Sequence, residues 1–82
     1  MLKIKDNVDL KELEKYGYNN KYSKSGHYEK VIGYAKTLWI EQDSAIWLED
    51  SMSYIDDDNV IEPLVQDLIK ADLVEKVSDN NE

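Results

Sequence analysis

The side chains here that could do chemistry are mostly carboxylates, and they crowd into "SYIDDDNVIEPLV", Ser53 to Val65, where Asp56, Asp57 and Asp58 precede an apolar run. Three roles suit such a run: oxygen ligands for a hard cation, an acidic surface for a basic partner, or the polar start of a helix. A calcium loop takes oxygens from alternating positions, a glycine for its sharp turn and a distant bidentate glutamate. Asp56, Asp58 and Glu62 offer oxygens, but the glycine and the distant glutamate are missing. No metal and no cofactor is expected. As a helix start, Asn59 is the N-cap, Glu62 completes a capping box, and the aspartates sit at the positive end of the helix dipole, where a negative charge is worth about 0.3–1 kcal/mol. A partner-facing ridge of Glu49, Asp50, Asp56, Asp57 and Asp58 stays open beside that reading.

The remaining catalytic inventory is thin. The one histidine, His27, lies in a glycine-containing turn beside Ser23 and Ser25, with no nucleophile-elbow context and no orienting acid, and reads as a surface turn residue. Cysteine is absent, as are a glycine-rich phosphate loop and any Cys/His metal spacing. A domain of 82 residues buries only about 60–65% of its unfolded surface, which leaves little room for a deep cavity. The expectation is a protein that is not an enzyme.

Charge sets the partner class. Eighteen acids face ten lysines with no arginine, for a net charge of −8. Nucleic-acid binders carry a basic stripe and arginine forks, so direct nucleic-acid binding is not expected and a basic protein partner fits better. The first twenty residues are too charged for a signal peptide, and no window approaches the roughly 20 apolar residues of a membrane span. The expected location is cytoplasmic, without membrane contact.

The elements that must position these acids follow from periodicity. "LKIKD" alternates Leu2 and Ile4 inward with Lys3 and Lys5 outward, a short edge strand. "DLKELEKYGY" reads as a two-turn helix from Asp9 to Tyr16, capped by Asp9, with Glu12 at capping-box spacing and Gly17 at the left-handed C′ position. "NNKYSKSGH" is turn chemistry. From Tyr28 to Tyr54 the β-branched and aromatic residues predict an antiparallel meander of three to four strands. From Asn59 on, Val60, Ile61, Leu64, Val65, Leu68 and Ile69 form one apolar stripe, a helix from Val60 to Ala71, with Pro63 in its first turn. Asp72 could end that helix with a strand after it, or the helix could run on to Lys76; the strand is preferred. The fold expected is α+β, the meander packed on one amphipathic C-terminal helix and a short N-terminal helix, with residues 1–77 as one domain and 78–82 as a solvated acidic tail. The predicted core is Leu13, Ile32, Leu38, Ile40, Ile46, Leu48, Ile61, Leu64, Val65 and Leu68.

Within "TLWIEQDSAIWLE", a turn centred on Asp43 sets Trp39 opposite Trp47 and sends Leu38, Ile40, Ile46 and Leu48 to the other face. If the aliphatic face packs on the helices, Trp39 and Trp47 lie outward with Thr37, Glu41 and Glu49, and two tryptophans beside acids make an interaction patch. A cover on this face from the N-terminal segment or the tyrosine loop stays open, as does the opposite register, because a domain without phenylalanine needs bulky core residues. The candidate partner-binding residues are therefore Trp39, Trp47, Glu41, Glu49, Asp50, Asp56, Asp57 and Asp58.

The residue usage looks like that of an AT-rich Gram-positive genome, and "KIKDNVDLKELEKYGY" with "DLIKADLVEKV" resembles short proteins encoded by prophages and mobile elements of such bacteria. That resemblance implies an inhibitor of host defence, such as the anti-CRISPR proteins that occupy the DNA-binding channel of a Cas effector. "EDSMSYIDDDN" and "EQDSA" would then stand in for phosphates against a nucleic-acid-binding host protein. The alternative is a structural protein that self-associates as a homodimer through its sheet.

Overall fold

Alternation along the strands decides the architecture. In the computed structural model, which describes residues 1–21 and 26–77, a four-stranded antiparallel sheet runs in the order β2 (Tyr28–Gly33), β3 (Lys36–Ile40), β4 (Ile46–Asp50), β5 (Ser53–Ile55). The register sets Trp39 against Trp47, Leu38 against Leu48 and Ile40 against Ile46, as the sequence predicts. Leu38, Ile40 and Ile46 are fully buried and Leu48 nearly so, so the aliphatic side faces the core. The register with inward tryptophans is thereby excluded.

A second, two-stranded sheet pairs β1 (Leu2–Ile4) with β6 (Val74–Lys76), which puts the expected edge strand and the preferred last strand side by side. The Ile4 amide donates to the Ser44 carbonyl at 2.9 Å, joining this sheet to the β3–β4 turn. Leu2 and Ile4 bury beneath that junction.

The segment 58–70 is helical but broken: α1 (Asp58–Ile61), a 3-10 turn (Glu62–Val65) and α2 (Gln66–Lys70). Pro63 brings no amide to the ladder, and Val65 departs to φ −119° and ψ 31°. Ile61, Val65 and Leu68 are buried, while Val60 and Leu64 stand 39% and 38% exposed, so Leu64 does not belong to the core. The stripe assumed an uninterrupted helix; tighter 3-10 winding at three residues per turn carries Leu64 off the buried side. The N-cap is also corrected. Asp57, not Asn59, caps the helix, its carboxylate accepting the Asn59 amide at 2.9 Å. Aspartate caps as well as asparagine, and the chain turns helical before the apolar stripe begins. At the far end Asp72 adopts φ 63° and releases the chain into β6.

Leu10–Tyr16 winds as a 3-10 helix. Asp9 accepts the Lys11 amide at 3.0 Å, and Gly17, at φ 93°, takes the left-handed position a side chain would strain. The Glu12 carboxylate goes to the Lys15 ammonium at 2.8 Å instead of closing a capping box. Leu13 is fully buried, Ile32 packs partly buried at the core margin, and Tyr18 and Tyr28 join the core. The turn expected at Lys24 and Ser25, the Ser23 neighbour of His27, and the tail 78–82 lie outside the described residues.

Candidate functional site: an aromatic groove with an acidic rim

The site grows out of the β3–β4 turn. Three residues, Gln42, Asp43 and Ser44, reverse the chain between Glu41 and Ala45, whose backbones bond at 3.0 Å. Ser44 takes φ 74°, the left-handed step that three-residue hairpin loops use. Asp43 locks the turn by accepting the Ala45 amide at 3.1 Å. This fixes Glu41 and Asp43 beside the tryptophans, since each strand ends where the turn begins.

Cross-strand partners share a face, so the register assembles the outer side of the sheet. Glu29 lies opposite Trp39 and Val31 opposite Thr37. Tyr54 lies opposite Glu49. Trp39, Trp47 and Tyr54, with Glu41 and Asp43, line an open groove of about 400 Å³. Val31 and Tyr54 stay 70% and 63% exposed, and both tryptophans are half-buried.

Trp39 is held from two sides. Its indole N–H donates to Glu49 Oε1 at 2.9 Å. The His27 ring lies 4.2 Å away centroid to centroid, tilted by 30°. His27 Nε2 in turn sits 3.3 Å from Glu29 Oε1. The surface-histidine expectation is thus corrected: the His27 side chain is only 13% exposed, because strand parity places it over Trp39.

Trp39, Trp47, Glu41 and Glu49 therefore come together, whereas the other predicted site residues scatter. Asp50 accepts from the Ser51 hydroxyl at 3.2 Å, and Asp56 is exposed in the loop after β5. Asp57 is engaged as the cap, and Asp58 Oδ1 lies 3.2 Å from the Met1 amino group. "DDDN" is in large part a helix entry and a tether for β1. Among the described residues, no three His, Asp or Glu side chains gather as a metal site. No helix among them is long and apolar enough to cross a membrane.

Sequence reasoning passed over Tyr54, His27 and Glu29 as members of this face. Extending the same parity from β3 to β2 and β5 would have found them, but the register of β5 depends on a turn with no glycine or asparagine to announce it. No protein-family model, curated protein or solved structure matches the chain.

Proposed function

We propose that this chain acts by non-enzymatic protein binding, with the outer face of the four-stranded sheet as its working surface and a basic protein as its partner. One observation carries the reading: two half-buried tryptophans and an exposed tyrosine line a groove whose other walls are carboxylates. Aromatic anchors of this kind dominate binding energy where they can be desolvated, and surrounding charges govern encounter rate and register. The net charge of −8 adds a long-range field that draws a positive partner. Within that class, the resemblance to prophage-type proteins favours a host defence protein that itself holds nucleic acid, which this chain would inhibit by occupying its basic channel.

The test uses immobilised protein in a Gram-positive bacterial lysate, the parent beside a Trp47→Ala/Glu41→Gln double variant checked for native circular dichroism. The expected result is a basic nucleic-acid-binding protein retained by the parent, released by salt and lost by the variant. Equal capture by both proteins, or self-association alone, would overturn the reading.

A further inference from the structure

We propose that the groove between Trp39, Trp47 and Tyr54 is a slot for a single arginine side chain of the partner. The inference rests on the protein-binding reading above and specifies what the surface recognises.

Each lining side chain among the described residues favours a cation. Three walls are aromatic rings, whose faces carry negative quadrupole density, and the other two are the carboxylates of Glu41 and Asp43. No lysine lines it. A flat guanidinium can stack on an indole and still direct its in-plane N–H donors at a carboxylate, which a compact, strongly hydrated ammonium cannot do. The groove is open along its length, so it suits a side chain reaching in from a polypeptide better than a small ion enclosed in a cage.

The hydrogen-bond pattern divides the acids. Glu49 is already engaged by the Trp39 indole at 2.9 Å. Asp43 spends one oxygen on the Ala45 amide at 3.1 Å, leaving its second oxygen and the Glu41 carboxylate for an incoming donor. Because Glu49 and His27 fix Trp39 in advance, the ring need not be ordered on binding, which lowers the cost of capture. A chain with no arginine of its own has no internal group that competes for such a slot in the same way.

The experiment titrates the intact chain with three capped pentapeptides, Gly-Gly-X-Gly-Gly with X arginine, lysine or citrulline, and follows the two indole N–H signals by NMR. Arginine peptide should shift both signals saturably, lysine peptide should bind about fivefold or more weakly, and citrulline peptide, flat but uncharged, should leave them unmoved. Glu41→Gln, on an exposed side chain, should weaken arginine binding several-fold with an unchanged melting curve. Trp47→Leu should abolish it, and Tyr54→Leu, at a 63% exposed position, gives the same information should Trp47→Leu fail to fold. Equal binding of arginine and citrulline peptides, tighter binding of tetramethylammonium than of arginine peptide, or indifference to Glu41→Gln overturns the slot. If lysine and arginine peptides bind equally while a basic protein is still captured through Trp47, the slot fails and the protein-binding reading stands. If no peptide moves the indoles and no basic protein is captured, both fail.

Discussion

The two faces of the four-stranded sheet come from the same alternating strands and meet opposite conditions. The inner face is aliphatic, with Leu38, Ile40, Ile46 and Leu48 closed against Leu13, Ile61, Val65 and Leu68. The outer face is aromatic and acidic, with Val31 and Tyr54 well exposed and Trp39 and Trp47 half-buried. A fold without phenylalanine has reason to commit its tryptophans to the core for bulk. It draws instead on Tyr18 and Tyr28, 2% and 5% exposed, and this leaves the two largest side chains on the side where a partner can reach them. Tyrosine thus serves on both faces, while both tryptophans stay on the outer one.

The comparison breaks first at the core. Ile40→Ala or Leu68→Ala should cost about 2–5 kcal/mol, enough to unfold much of a marginal domain, whereas Tyr54→Ala on the outer face should cost well under about 1 kcal/mol. Urea titrations of the variants decide it, and a Tyr54→Ala loss equal to that of Ile40→Ala would mean the outer face is also core.

Tyr18 sharpens the inner side through pH. Burial, aided by the nearby Asp67 carboxylate, pushes the Tyr18 phenol well above the ordinary tyrosine value. The folded state keeps the proton after the unfolded chain has lost it, so stability is intact below about pH 10 and falls by about 1.4 kcal/mol per pH unit above it. Among the described residues the Tyr18 hydroxyl has no hydrogen-bond partner. Tyr18→Phe should therefore match or exceed the parent in stability at neutral pH and lose this part of the alkaline decline, as thermal melts between pH 8 and 11 would show.

The acids separate next. Asp57→Ala removes the cap and should cost about 1 kcal/mol, while Asp56→Asn should change stability by less than about 0.5 kcal/mol. Equal effects in chemical denaturation would contradict the assignment of Asp57 to the helix entry. One effect has the opposite sign: Met52 holds φ 73° in the β4–β5 turn at 87% exposure, and Met52→Gly should stabilise by up to about 1 kcal/mol, read as a higher melting temperature.

What was legible in the sequence was whatever a strict period wrote there. Period two gave the β3–β4 register, the inward aliphatics and the Trp39–Trp47 pair, and the Leu2/Ile4 alternation gave β1. The helical stripe located the 58–70 segment but misplaced Leu64 and the cap, because one proline and one tight turn change the winding locally and a stripe averages over both. The acids were least legible: Asp57, Asp58 and Asp56 look alike in the sequence, and only the position of the helix start and of β1 distinguishes a cap from an ion pair from a free carboxylate. Tyr54 reaches the groove, and His27 the Trp39 ring, through pairing with a neighbouring strand, which no local pattern reports.

The β1–β6 pairing also determines how the molecule responds to force. Leu2 is paired with Lys76, and the Val77 amide donates to the Met1 carbonyl at 2.8 Å, so the two strands meet with their chain ends side by side. Tension drawn outward from both ends loads that ladder at its last rung and parts the bonds one after another, as in peeling, where strands pulled in shear would resist with all their rungs together. Force applied through the segments flanking β1 and β6 therefore meets one rung at a time. Once β1 lifts away, Ile4 leaves the core and the bond to Ser44 is lost, which removes the support beneath the turn that carries Glu41 and Asp43.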